Sequence, residues 1–244
     1  MWTRLRGGGR AIGALLSVTL AVGAIPALSG EAAADVPTAP QSAGTTTTAG
    51  GMSEADALAE ARRTGKPVEI SALRGESREV FATPEGRLQA QEYLRPVWAR
   101  GPGGWKRVDT SLVTTDEGTV APKAATVDVE FSGGGGTAPL VRMRRAGREL
   151  SLTWPTPLPK PRLDGAVATY PSVLPDVDLR MTAQEDGFTQ LLVVKTAQAA
   201  ANPELAELRM RLSASGLEVR ETDQGGLEAV DKGAAGAVFE APKP

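Results

Sequence analysis

The chain lacks two residue types that carry much of protein chemistry: its 244 residues include no cysteine and no histidine. Without cysteine there is neither a disulfide framework nor a lipid anchor on cysteine, so the fold must depend on an apolar core. Without histidine, Ser-His-Asp and Cys-His catalysis are excluded. The two absences together exclude the common structural zinc sites. We therefore expect a chain that is not an enzyme and has no cofactor.

Aromatic residues are also scarce, at 4% of the sequence, so valine, leucine and alanine must fill most of the core. The net charge is −2 for the whole chain. It becomes about −4 without residues 1–34, which hold three arginines and one glutamate. Since nucleic-acid-binding surfaces are strongly basic, this mild acidic balance predicts no nucleic-acid partner.

The N-terminus has the three parts of a secretory signal peptide. Arg4, Arg6 and Arg10 precede an apolar stretch over 11–25, and a small-residue cleavage site ends at Ala34. The apolar stretch is shorter than the roughly 20 residues that a membrane-spanning helix needs. We expect cleavage after Ala34 to give a secreted protein, released or associated with the cell surface, without a stable membrane span.

A flexible linker and a short helix are predicted to follow. Residues 35–52 are rich in proline, glycine and threonine and cannot bury a core. Segment 53–66 predicts a helix, because Ser53 is a suitable N-cap and Gly65 fits the position just past the helix end.

The rest of the chain, residues 67–240, predicts a β-rich module of two packed sheets or two sub-domains, and 241–244 resemble the start of a linker. Apolar and polar residues alternate with a period of two, as in strands with one buried face. The clearest such runs are 127–131, 149–154, 176–181 and 208–213. The predicted fold is mainly β: an antiparallel β-sandwich or β-supersandwich with one short N-terminal helix.

Three local patterns add detail to the predicted fold. Leu191 to Val194 is apolar at every position, which favours a central strand. Asn202 precedes Pro203 to Leu208 and can cap a second short helix there. The proline-rich stretch 155–161 is expected to be a stiff connection between sheets, or alternatively a ligand for an aromatic groove.

Tryptophan supplies the first candidate binding residues. Trp105 follows two glycines and, like Trp98, can stack on a sugar ring if it is exposed. The alternative is that both rings fill the core, or that Trp105 clamps a hairpin. Trp154 is in register with apolar neighbours and is expected in the core. A carbohydrate- or cell-wall-binding module is therefore one hypothesis.

Asp176 and Asp178 are the second candidates, since they share one strand face about 6.5–7 Å apart. That spacing lies within the range used by paired carboxylates in glycoside hydrolysis, and carboxylates also bind calcium. A solvated strand face explains the pair equally well. The carboxylate-only glycoside hydrolase is thus a distant alternative, and calcium binding is a weak one.

Two further features have structural interpretations. Arg142, Arg144, Arg145 and Arg148 surround a turn and can contact an anionic wall polymer or simply face solvent. The glycine run 133–136 lacks the Lys-Ser/Thr that follows a phosphate-binding loop.

Residues 55–244 resemble the N-terminal region of large secreted actinobacterial proteins, which continue into DNRLRE, laminin-G-like jelly-roll or RHS/YD-repeat modules. The segments that carry the resemblance are 104–109 with 111–112, 120–123, 152–155, 170–179 and 187–188 leading into 192–195. The resemblance implies a non-catalytic β module at the front of a multidomain protein. It implies downstream domains of the same polypeptide and extracellular polysaccharide as partners. The leading hypothesis is a secreted scaffold or interaction module.

Overall fold

The computed structural model describes residues 2–6, 18–20, 51–136, 138–231 and 236–243, with only the backbone of 2–6 and 18–20. The predicted cleavage site at Ala34 lies outside the described residues. The same holds for 35–50, which form most of the predicted linker.

The described chain is mainly β, as the alternating patterns predicted. Its helices are α1 (Glu54–Thr64), α2 (Ala197–Ala200) and α3 (Pro203–Ala206), with a 3₁₀ turn at Ser71–Leu73. Its strands are β1 (Trp2–Arg6), β2 (Val18–Leu20), β3 (Val68–Glu69), β4 (Arg78–Ala82), β5 (Leu88–Glu92), β6 (Trp98–Gly101), β7 (Gly104–Arg107), β8 (Asp109–Thr114), β9 (Val120–Ala124), β10 (Asp128–Phe131), β11 (Val141–Arg145), β12 (Arg148–Thr153), β13 (Arg162–Asp164), β14 (Val167–Leu174), β15 (Val177–Ala183), β16 (Phe188–Val194), β17 (Glu207–Ser215), β18 (Leu217–Glu221), β19 (Leu227–Asp231) and β20 (Ala237–Ala241).

The chain divides into two compact units, and the smaller one spans Ala24–Arg95. There α1 packs on the antiparallel sheet β3-β4-β5 through a core of small and aliphatic side chains. The predicted caps are confirmed: the Ser53 side chain accepts a hydrogen bond from the Asp56 N–H at 3.3 Å, and Gly65 has φ +67°. In the parts of the chain that the structure describes, no helix is long and apolar enough to cross a membrane.

The larger unit comprises Met1–Gly23 and Pro96–Pro244, and it holds the predicted sandwich. One sheet has the order β1-β17-β12-β11-β10-β9-β8, and the second has the order β13-β14-β15-β16-β2. A third sheet, β18-β19-β20, and the two-stranded hairpin β6-β7 complete the unit. The strands of all these sheets pair antiparallel.

Aromatic side chains join the two large sheets. Phe131 of β10 and Phe188 of β16 meet edge to face, with 6.1 Å between ring centroids and 80° between ring planes. The buried Tyr170 hydroxyl donates a hydrogen bond to the Ser132 carbonyl at 2.6 Å. Burial raises the pKa of the Tyr170 phenol, so it remains a protonated donor. These contacts lie in one core that extends to Phe239 of the third sheet.

Two further predictions concern short segments of the larger unit. The stretch Leu191–Val194 was expected in a central strand, and β16, which contains it, lies between β15 and β2 in its sheet. Its four side chains are half-buried or exposed, although all four are apolar. The short helix after Asn202 is confirmed as α3, capped by a bond from the Glu204 N–H to the Asn202 side chain. Helix α2 was not predicted.

The proline-rich stretch 155–161 connects β12 of one large sheet to β13 of the other, which confirms the predicted connection. The glycine run holds this connection in place. The Gly135 N–H donates to the Leu158 carbonyl at 2.8 Å. A Cβ on Gly134 would lie 2.5 Å from the Pro159 carbonyl oxygen. The glycines therefore serve close backbone packing.

We predict that Gly133→Ala lowers the free energy of unfolding by about 3 kcal/mol or prevents folding. A Cβ at this position would lie 1.8 Å from the Gly118 carbonyl oxygen, so the backbone would have to move. The matched control is Gly136→Ala, because a Cβ there meets no atom nearer than 3.9 Å. Denaturant unfolding should show a change of less than about 0.5 kcal/mol for the control. Equal stability of the two variants would contradict the close packing.

Candidate functional site

The β6-β7 hairpin is built from a short sequence repeat. The motif Trp-x-Arg occurs at 98–100 and again at 105–107, on either side of Gly-Pro-Gly-Gly. Pro102 suits the second position of a tight turn because its φ is fixed. Gly104, the residue that follows the turn, has φ +97°, which a glycine adopts readily. The repeat and the turn together determine the pairing of the two strands.

The pairing places Trp98 opposite Arg107, and Arg100 opposite Trp105. Side chains two positions apart on a strand share a face, as do directly paired side chains. All four therefore lie on one face of the hairpin. Each ring has a guanidinium group next to it along its own strand and another across from it on the paired strand. We call these four residues the Trp–Arg face.

Each arginine of this face stacks on the tryptophan across from it. The Arg107 guanidinium lies 4.5 Å from the Trp98 ring centroid, and that of Arg100 lies 5.6 Å from the Trp105 ring centroid. Contacts of this kind contribute about 0.5–1 kcal/mol at exposed sites. Both rings are half-buried and both arginines are exposed. Trp98 and Trp105 thus clamp the hairpin, which one interpretation predicted for Trp105, and both half-buried rings keep some surface in contact with solvent.

The other face of the hairpin carries Ala99 opposite Lys106. Ala99 is buried, with 5% of its surface exposed, whereas Lys106 is exposed. At the tip, a Cβ on Gly103 or Gly104 would meet no atom of the described residues within 4 Å. Ala99 therefore lies on the buried face of the hairpin, and the two glycines of the tip have open space around them.

The hairpin is also a local concentration of positive charge. Residues 95–108 contain Arg95, Arg100, Lys106 and Arg107 and no acidic residue, in a chain with a net charge of −2. Among the described residues, Arg100 and Lys106 make no ion pair. The Trp–Arg face therefore combines aromatic surface with at least one guanidinium that no carboxylate occupies.

The second basic hairpin, β11-β12, differs in this respect. Arg144 hydrogen-bonds to Asp128, Glu130 and Glu149 at 3.1 Å each. Arg142 lies 3.3 Å from Glu130. These carboxylates neutralise the two arginines and form a network of ion pairs with them on the sheet surface. A fourth carboxylate, that of Asp231, lies 2.6 Å from Arg148.

Asp178 lies in β15, whereas Asp176 lies in the turn before that strand, so the two do not share a strand as predicted. Each has a local partner. The Lys195 ammonium is 2.6 Å from an Asp178 oxygen, which also accepts the Ser172 N–H at 2.8 Å. Burial works against the charged form, but these two hydrogen bonds hold the pKa of the Asp178 carboxyl below its usual range. Asp176 has φ +55° and accepts a hydrogen bond from the Thr196 hydroxyl at 3.3 Å.

The place that a calcium ion would take at Asp178 is therefore filled by a lysine ammonium. Within the described ranges, no three acidic, histidine or cysteine side chains are placed to hold a metal ion. Trp154 is in the core, with 4% of its surface exposed, as expected. A cleft of about 240 Å³ beside it is lined by Pro155, Pro157 and Arg211.

The comparisons with known proteins add no assignment: no family model matches the chain, and neither curated proteins nor solved structures gave a match. Sequence reasoning selected the two tryptophans of the hairpin but missed Arg100 and Arg107. The repeated Trp-x-Arg motif was the available signal, since a tight turn between the copies pairs each tryptophan with an arginine.

We predict that Asp178→Asn lowers stability by about 1 kcal/mol at neutral pH, since partial contact with water screens the ion pair to Lys195. A carboxyl with a depressed pKa stabilises the fold fully above its ordinary pKa, about 3.9. That contribution is lost as the pH falls through the lower folded-state pKa.

Denaturant unfolding at pH 7 and at pH 2–3 should therefore show the difference between wild type and Asp178→Asn shrinking with acid. Asp176→Asn is the control, because among the described residues its exposed carboxylate accepts a hydrogen bond only from the Thr196 hydroxyl, and asparagine tolerates positive φ. A pH-independent difference for Asp178→Asn would contradict the ion pair.

Proposed function

We propose that the chain is an exported, non-catalytic interaction module that binds carbohydrate polymers through the Trp–Arg face. The observation that carries this proposal is the placement of Trp98 and Trp105 on one exposed hairpin face. Aromatic rings supply large contact area at low conformational cost, and the CH groups of a sugar ring pack on them. The two glycines of the hairpin tip have open space around them, where an extended polymer has access.

The sandwich below the hairpin supports a binding role because it is a rigid platform. Binding residues are commonly carried on loops that a packed scaffold positions. The resemblance of residues 55–244 to the front of secreted multidomain proteins supports the same proposal. In such an arrangement the module would bring downstream domains of the polypeptide to an extracellular polysaccharide.

We expect the purified chain to be retained on peptidoglycan or polysaccharide beads, and Trp105→Ala to reduce its affinity about tenfold. The control is Leu94→Ala, which removes a fully exposed apolar side chain outside the hairpin. Circular dichroism checks that both variants fold. Retention of the wild type no better than on uncoated beads would count against the proposal, and equal loss in both variants would assign binding to general hydrophobicity.

Export is proposed from the N-terminal sequence. We expect protein recovered from the culture medium of an expressing cell to begin at Asp35 when its N-terminus is sequenced. The physical reason is the small-residue site ending at Ala34 after an apolar stretch too short to span a bilayer. The control is a chain with Ala32→Leu and Ala34→Leu, which should accumulate uncleaved. Secreted material that begins at Met1 would contradict cleavage.

A further inference from the structure

We infer that the Trp–Arg face binds a polysaccharide whose sugar residues carry carboxylates, a glycuronan. This inference rests on the proposed function and adds the chemical class of the ligand. It starts from the arrangement of the face as two rows, Trp98 with Arg107 and Arg100 with Trp105. Each row offers one ring and one guanidinium, and the rows are about 6.5–7 Å apart along the strands.

A uronic acid residue has the complementary composition. Its pyranose ring presents CH groups that pack on an indole, and its carboxylate accepts two parallel hydrogen bonds from a guanidinium. One sugar residue therefore satisfies the row of Arg100 and Trp105, and a neighbouring residue of the polymer can pack on Trp98. A neutral polysaccharide uses the rings alone and leaves Arg100 without an anion.

The charge distribution favours the same ligand. Arg142 and Arg144 of the β11-β12 hairpin are paired with Asp128, Glu130 and Glu149, which neutralise their charge and make them weaker sites for an external anion than Arg100. Arg100 makes no ion pair among the described residues, and no acid lies between positions 95 and 108. An otherwise acidic chain repels a polyanion over most of its surface, which directs the polymer to this hairpin.

Other polyanions fit the face less well. A glycerol-phosphate polymer offers charge without a ring at each repeat, so the tryptophans gain little. Single-stranded nucleic acid offers both rings and phosphates, but its binding sites usually combine stacking with an extended basic groove. The net charge of −2 and the small size of the hairpin argue against such a groove.

The test compares polygalacturonate with its methyl ester, because esterification removes the charge and keeps the sugar backbone. We expect the purified chain to bind polygalacturonate at least tenfold more tightly than the ester in affinity electrophoresis. Added salt should weaken binding to polygalacturonate and leave binding to the ester unchanged.

Two variants that each remove one positive charge show which face of the hairpin binds the carboxylate. Arg100→Gln should lose about tenfold in affinity for polygalacturonate and nothing for the ester. Lys106→Gln, on the opposite face of the same hairpin, should change neither affinity by more than about twofold. Arg100→Lys keeps the cation on Trp105 but not the paired hydrogen bonds, and it should lose about threefold. Thermal unfolding of each variant verifies that the hairpin is folded.

Each outcome decides a separate point. Equal binding of polygalacturonate and its ester would overturn the inference and leave the proposed function standing. So would equal losses in Arg100→Gln and Lys106→Gln. A glycerol-phosphate polymer or a single-stranded oligonucleotide that binds as tightly as polygalacturonate would also overturn it. If no polysaccharide binds at all, both the inference and the proposed function fail.

Discussion

Packing between the two large sheets is the constraint on which the larger unit depends, because the chain has no cysteine to cross-link them. Phe131 and Phe188 fill the space between β10 and β16, and the Tyr170 hydroxyl joins β14 to the loop after β10. The polar atom of Tyr170 is satisfied by a backbone carbonyl, so its burial carries little desolvation cost. A few aromatic side chains therefore hold the two sheets together, which is the role that disulfides have in many exported domains.

The scarcity of aromatics makes their distribution informative. Of the three tryptophans after residue 34, Trp154 is in the core, whereas Trp98 and Trp105 lie on a two-stranded hairpin. A core that depends on valine, leucine and alanine would gain from the two large rings, yet they are placed at the surface. Their stacking with Arg107 and Arg100 stabilises a hairpin that pairs with no third strand among the described residues. The proposed binding surface thus uses the same contacts that keep it folded.

Much of the architecture was accessible from local patterns. Period-two alternation located β10, β12, β15 and β17, and the caps Ser53 and Gly65 located α1, because each signal depends only on neighbouring residues. The burial of a strand's side chains depends on distant partners, which is why the apolar run Leu191 to Val194 did not reveal that its side chains are only half-buried or exposed. The same limit applied to the site: the tryptophans could be named, but their arginine partners depend on the register that one turn establishes.

The hairpin face has a local two-fold symmetry that follows from its antiparallel register. A half-turn about an axis perpendicular to the hairpin exchanges Trp98 with Trp105 and Arg100 with Arg107, since each residue maps onto its diagonal neighbour. A linear chain laid across the face meets ring and cation in the same order from either end. Such a surface does not distinguish the two directions of a polymer, so it could hold strands of opposite polarity equally well.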